Sequence, residues 1–472
     1  MKRAVVNVEQ ATQRGLQRSE SAPMRTVILL ACVTTAACTA SAEDVRPPEN
    51  QIYFPTGMRV APDDSVLFVT NANSELRYDS GSVTVLDLNI VDQVSGDWTG
   101  IGKTIPSGLD CAQDPDHTET LICDEAGFIV PHSGARLGNF ATQIAVQKTG
   151  VTPDPALRLI IPTRGDPSVT WIDWDGSRLS CNSSGEGYAL CDETHRLAFV
   201  HNDPDLAQLP DEPFDVFADS LGGFAVVTHL SSGGVTLINS PPNGNAEIAD
   251  VATGLFASDQ ATGLRGSTGV AGRFPGTTGD IIYVGSRSEH RIQMLTVGRP
   301  VNGDKAQPYL EAGNWFFLDL AGLNSGGSLD TRGMTFSASG DRLYLINRRP
   351  PTLQIYDTSL SETGFPRNTG IAATDICRQA STLTVADTGD GDRAYVSCFQ
   401  DGEIYVVDPR GLSQVEDIIT VGRGPYAVTV APSRKKLFVT NFLEDTIAVV
   451  DISPTSMTRN RVVLRIGKPR AP

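Results

Sequence analysis

Six hairpins in this chain share one spacing, and that spacing limits the folds open to it. Apolar, β-branched runs ending in a polar residue occupy positions 67–71, 159–163, 225–229, 282–286, 343–347, 394–398 and 437–441. Each is followed by a second run, at 83–87, 169–173, 235–239, 292–296, 353–357, 404–408 and 447–451. In six of the seven pairs the polar end residue lies 6 positions before the next run; only the first pair carries an insertion, from Asn71 to Val83. Continuous apolar runs of this length read as strands buried on both faces. A fixed hairpin offset recurring along a chain marks a repeated structural unit.

Shorter runs precede each pair, at 57–60, 141–144, 213–216, 269–272, 333–336, 381–384 and 425–428, and a variable fourth run follows, clearest at 418–421 and 461–465. Four antiparallel strands per unit, repeated around an axis, describe an all-β fold, a seven-bladed β-propeller. Units too thin to bury both faces alone bury them against neighbours, and closing the ring removes the open edges. Because the chain ends on a fourth strand, the last blade is either complete in itself or joined by residues 51–54.

The best-preserved copies read Leu67-Phe-Val-Thr-Asn71, Leu343-Tyr-Leu-Ile-Asn347 and Leu437-Phe-Val-Thr-Asn441, the last followed by Ile447-Ala-Val-Val-Asp451. This pattern resembles the YVTN β-propeller repeat family of bacterial extracellular and envelope proteins. The likeness is good in blades 1, 5 and 7, partial in blade 6 and absent in blades 2 to 4. It implies fold and says little about activity, since propellers host many unrelated functions. Related-looking propellers include lactone hydrolases and quinone- or haem-linked dehydrogenases.

The amino terminus reads as an export signal. Residues 24–38 have a basic start, a short apolar core and small residues before Cys38, a pattern similar to a bacterial lipoprotein signal with translation starting at Met24. The run is too short to span a bilayer. An ordinary secretory signal cleaved near Ala42 is the alternative. The expected organisation is a signal at 1–38 with lipid on Cys38, a tether at 39–50 and the propeller over 51–472. Six further cysteines form three close pairs, Cys111/Cys123, Cys181/Cys191 and Cys377/Cys398, and local disulfides are the simplest reading in an exported chain.

The formal charge is -17, and residues 1–37 are themselves basic, so the exported part is more acidic still. Such a field repels nucleic acid and anionic lipid surfaces, leaving membrane contact to the lipid alone. A monomer is expected.

In this architecture the ends of the second strands and the starts of the first share one face of the ring. Asn71, Thr163, His229, Ser286, Asn347, Cys398 and Asn441 are expected around that mouth, with Arg164, Arg287, Arg332 and Arg348 beside them. Guanidinium forks suit an anionic or carboxylate ligand. Against this, the arginines could pair with local carboxylates, and Asn at a strand end commonly satisfies its own turn. His229 is a general-base candidate only with a nucleophile or metal-bound water beside it. No Gly-x-Ser-x-Gly or His-Glu-x-x-His is present. Asp387, Asp390 and Asp392 form a glycine-spaced acidic turn whose oxygens suit calcium, although the full EF-hand loop is missing; no other cofactor is expected. The resulting expectation is a non-catalytic module that binds a small anion, a sugar or an envelope protein at residues Arg164, His229, Arg287, Arg332, Asn347, Arg348 and Asn441. The alternatives are a propeller enzyme and a structural envelope component.

Overall fold

The structure, a computed structural model, describes residues 44–100, 103–149, 156–182, 188–219, 223–257, 265–273, 281–299, 307–318, 330–410 and 413–469. The signal segment with Cys38, and positions 39–43 of the expected tether, lie outside the described residues. From Asp44 onward the chain is held against the body. The Val45 carbonyl accepts the Asp79 N–H at 2.9 Å, and the Pro48 carbonyl accepts the Tyr188 hydroxyl at 3.0 Å.

Seven antiparallel sheets follow one another as blades of a β-propeller. Their innermost strands begin at Pro55–Val60, Ala145–Lys148, Pro213–Ala218, Ser267–Arg273, Thr331–Phe336, Ala380–Asp387 and Pro425–Ala431. In blade 2 an isolated bridge, Ala141 to Thr163, precedes the regular pairing and marks the same position. The second strands explain why their sequence is apolar without alternation. Along Leu67-Phe68-Val69, Leu67 and Val69 join the core shared with blade 7, and Phe68 joins the core shared with blade 2. The same division holds around the ring: Tyr283 faces blade 5, Tyr344 faces blade 6, Tyr395 faces blade 7 and Phe438 faces blade 1. Each of these rings is at most 1% exposed. Burying one such side chain contributes about 1.5–3 kcal/mol, so the seams between blades hold the ring together.

Hydroxyls tie the inner rim. The innermost strands bulge after their first residue, as between Pro425 and Val428, which frees a backbone N–H. The penultimate residue of the second strand captures it. Thr440 Oγ1 accepts the Ala427 N–H at 2.8 Å, Ser397 Oγ accepts that of Thr382 at 2.9 Å, and Thr70 Oγ1 accepts that of Gly57 at 2.7 Å. The same hydroxyls reach the next blade: Ser397 donates to the Tyr426 carbonyl at 2.9 Å, and Thr228 to that of Thr268 at 2.6 Å.

Blade 7 is complete in its own four strands, and the insertion after blade 1 then clasps it. Helix α1, Leu88–Thr99, starts on an Asp87 cap whose Oδ1 accepts the Asn89 N–H at 2.8 Å. It buries Leu88, Val91, Val94 and Trp98 in the core between blades 1 and 7. A hairpin of Cys111–Gln113 and Leu121–Cys123, stapled by the Cys111–Cys123 disulfide, then adds two strands to the outer edge of blade 7. Leu121–Cys123 runs parallel to Arg461–Ile466. Residues 51–54 form no strand there. Instead, Asn71 Oδ1 accepts the Tyr53 N–H at 3.2 Å, and Asp445 Oδ1 accepts the Phe54 N–H at 2.7 Å.

The other two cysteine pairs also form local disulfides, Cys181–Cys191 and Cys377–Cys398. Among the described residues no helix is long and apolar enough to cross a membrane.

Candidate functional site at the channel mouth

The innermost strands enclose a central bore containing a cavity of about 470 Å³. Its polar lining includes Arg59, Gln143, Asp215, Arg332, Thr335 and Thr382. The pairings Pro55 to Asn71 and Pro425 to Asn441 confirm that first-strand starts and second-strand ends meet at one face.

The uncharged strand-end residues do not present themselves there. Asn71, Thr163, His229, Ser286, Asn347, Cys398 and Asn441 are all 0% exposed. Asn347 Oδ1 accepts the Thr331 hydroxyl at 2.7 Å, and Asn441 Nδ2 donates to the Val421 carbonyl at 2.9 Å. Both asparagines are thus engaged inside the blades, while Asn347 Nδ2 and Asn441 Oδ1 are buried without a hydrogen-bond partner. His229 is also engaged within its blade: its Nε2 lies 2.8 Å from Thr236 Oγ1, and its Nδ1 lies 3.3 Å from the Asp211 carbonyl. Burial pushes its pKa down to about 4, so the ring is neutral.

The arginines do converge. Asp330, itself buried, lies between Arg332 and Arg348: Arg332 Nη2 donates to Asp330 Oδ2 at 3.1 Å, and Arg348 Nη1 stands 3.9 Å from the same oxygen. Arg332 Nε also lies 2.7 Å from Asp330 Oδ1 but is aligned too poorly to bond, and both atoms remain without a hydrogen-bond partner. Arg348 Nε donates to the Ala380 carbonyl of blade 6 at 2.8 Å. Arg164 pairs with Glu212, and its buried Nε has no acceptor. Burial and the neighbouring Arg332 charge push Arg348 down to about 10, and the same two causes lower Arg287. Asp330 and Glu212 act on Arg287 in the opposite sense. Local pairing accounts for part of the cluster and leaves the buried Nε atoms of Arg164 and Arg332 without acceptors.

Three further groups belong to this site. Asp215 is half-buried in the bore, where its Oδ1 accepts the Val216 N–H at 2.9 Å and its Oδ2 the Val270 N–H at 3.2 Å. Burial raises its pKa to about 7 despite these bonds and the Arg59 charge. Arg59 is reached by water along the bore yet enclosed by the ring, and this enclosure lowers its pKa. Tyr426 packs against the core between blades 1 and 7 and feels the charges of Arg332, Arg164 and Arg348, with its phenol pKa raised by burial. Blade-by-blade alignment of the first strands would have found them. Asp215 and Tyr426 stand two and one residues after the strand-opening prolines Pro213 and Pro425, where blade 1 has Gly57 and Thr56.

The acidic turn does not assemble a ligand set. Asp387 Oδ1 accepts the Gly389 and Gly391 N–H groups at 2.8 and 3.1 Å, while Asp390 is turned toward Arg459 at 2.9 Å. Among the described residues no group of three His, Cys, Asp or Glu side chains is placed to hold a metal ion.

No protein-family model and no curated protein matches the sequence. Solved structures do match in shape. A candidate 6-phosphogluconolactonase from Bacteroides fragilis superposes with a TM-score of 0.54 at 13% identity, over 86% of this chain and 99% of that one. A second, from Bacteroides uniformis, gives 0.50 at 16% identity, over 86% and 97%. The Cps50 (Swd1) β-propeller domain of Myceliophteria thermophila gives 0.51 at 10% identity, over 86% and 99%. At these identities the likeness is one of architecture, and it agrees with what the sheets themselves show: this chain is a seven-bladed β-propeller.

Proposed function

We propose that this chain is an exported propeller that binds a small organic anion at its channel mouth, through Arg164, Arg287, Arg332 and Arg348. The observation that carries this reading is the convergence of these guanidiniums around Asp330 and Glu212, in which the buried Nε atoms of Arg164 and Arg332 have no hydrogen-bond partner. An anion there would relieve the mutual repulsion and meet planar donors. The open cavity below favours a binding role over a purely structural envelope part. The three disulfides and the signal-like residues 24–38 support export, with lipid on Cys38 and membership of the YVTN-repeat group as part of the same reading. Incorporation of labelled fatty acid, abolished by Cys38→Ser, tests the anchor. An envelope protein docking on the same face remains the alternative partner.

Isothermal titration of acetate, citrate and inorganic phosphate at low ionic strength tests the site. Saturable binding that weakens at least tenfold in Arg332→Ala or Arg287→Ala supports the reading. Absence of binding, or equal binding by the variants, overturns it.

A second reading is favoured by Asp215. A carboxyl with a pKa of about 7, opening into the same bore, is poised as a general base toward water. Together with the arginines it would suit hydrolysis of a lactone, the activity named for the two Bacteroides propellers. Lactone hydrolysis with a pH inflection near 7 that disappears in Asp215→Asn would support it. No hydrolysis of glucono-δ-lactone or its 6-phosphate would remove it.

A further inference from the structure

Away from the bore, the turns after the second strands of blades 6 and 7 enclose a groove of about 690 Å³. That volume lies within the ~300–1,000 Å³ usual for small-molecule sites. One wall is the turn that follows Cys398, with Phe399, Gln400 and Asp401; the other is the turn that follows Asn441, with Leu443 and Glu444. Gln379 adds to the first wall, and His117 comes in from the hairpin that clasps blade 7. These pieces are pinned to one another. The Cys377–Cys398 disulfide joins the segment carrying Gln379 to the strand that launches Phe399. The Leu443 N–H donates to the Arg423 carbonyl at 3.2 Å, and the Phe442 N–H to that of Gly424 at 3.0 Å, so the link between the two blades is tied to the second wall. The Phe399 ring stands 6.2 Å from that of Phe442, a tilted pair that bridges the two turns.

The charged side chains of the groove are matched among themselves. Arg423 Nε donates to Glu444 Oε1 at 3.3 Å and Arg465 Nη1 to Glu444 Oε2 at 3.2 Å, and Asp401 supplies a second carboxylate in the lining. What the groove offers a ligand is the half-buried ring of Phe399, the exposed side chain of Leu443, and the exposed amides of Gln379 and Gln400. Neither amide has a side-chain hydrogen-bond partner among the described residues. An amide presents a donor and an acceptor side by side, as neighbouring sugar hydroxyls require, and the C–H face of a pyranose suits an apolar ring. We propose that this groove is a second site, independent of the anion reading of the mouth, and that it takes a neutral saccharide. The sugar ring lies flat on Phe399 beside Leu443, while Gln379, Gln400 and Asp401 take its hydroxyls.

Titration calorimetry of the full chain with maltose, cellobiose and N,N′-diacetylchitobiose tests this site. At least one of the three is expected to bind saturably. Phe399→Ala should weaken that binding about tenfold, the scale of one good aromatic contact, and Gln400→Ala about fivefold, the scale of one neutral hydrogen bond. Phe399→Trp should keep it, which shows that a lost platform and not a damaged fold is being read. Arg332→Ala should leave it unchanged, because that residue belongs to the mouth. Binding of none of the three sugars, or binding that both Phe399→Ala and Gln400→Ala leave intact, overturns the proposal. Sugar binding abolished by Arg332→Ala would place the sugar at the mouth and overturn it equally.

Discussion

Thr440 Oγ1 donates to the Thr56 carbonyl at 3.2 Å, across the seam where the last blade meets the first. The same hydroxyl accepts the Ala427 N–H, so one side chain closes a strand bulge and the ring together. The Thr of the repeated Val-Thr-Asn ending thereby has a physical reason: it needs to be a short hydroxyl residue, and blade 6 uses Ser397 in the same way.

Thr440→Val should therefore cost stability out of proportion to its size. It leaves a buried N–H unpaired, which costs about 1–3 kcal/mol, whereas Thr440→Ser retains both bonds. Denaturant unfolding of the two variants measures the difference. A Val variant as stable as the Ser variant would mean the hydroxyl bridge contributes nothing.

The clasp gives a second expectation. The Gly467 N–H donates to the Cys123 carbonyl at 2.8 Å, and Thr120 Oγ1 donates to the Val462 carbonyl at 2.7 Å. Cys111→Ser with Cys123→Ser releases a short loop closure, for which about 3 kcal/mol is typical. Hydrogen exchange should then quicken at the Gly467 amide before it changes in blades 3 to 5. Uniform loss of protection around the ring would instead mean that the clasp is not a local closure.

Two buried groups pull the pH dependence of stability in opposite directions. Asp215 has a folded pKa raised to about 7 from an ordinary value of 3.8, so its stabilising contribution is complete below the ordinary value and disappears as pH rises through 7. His229 has a folded pKa lowered to about 4 from 6.5; the folded state disfavours its proton, so its contribution is present above 6.5 and is lost as pH falls through 4. Relative to wild type, Asp215→Asn should become progressively more stable from pH 4 to pH 7. His229→Gln should show the reverse trend between pH 4 and 6.5. Melting temperatures taken across that range, with the wild-type curve subtracted, check both signs.

The number of blades was legible because strand-end to strand-start spacing is a local property, set by a tight turn within one hairpin. Each second strand also sends successive apolar side chains toward its two neighbours, as Leu67, Phe68 and Val69 show. Ring closure was not legible. It depends on Leu121–Cys123 finding Arg461–Ile466 across the whole chain, and a three-residue strand carries too little pattern to announce a partner. Of the mouth, Arg164, Arg287 and Arg348 were visible because they follow the strand ends directly, and Arg332 because it stands at the start of a first strand. The inward turn of Asn347, Asn441 and His229 was not, since a polar residue at a strand end looks the same in sequence whether it caps the blade or faces the solvent. Asp215 and Tyr426 were hidden in strands whose polarity reports the bore and not a surface.

The central claim is that the guanidiniums at the mouth form an anion site. Crystals grown or soaked with selenate, an oxyanion that scatters anomalously, would locate it directly. The strongest selenium peak is expected among the guanidiniums of Arg164, Arg287, Arg332 and Arg348, on the side away from Asp330, and lost in Arg332→Gln. Selenium bound only elsewhere on the surface, with the mouth arginines unchanged, would contradict it.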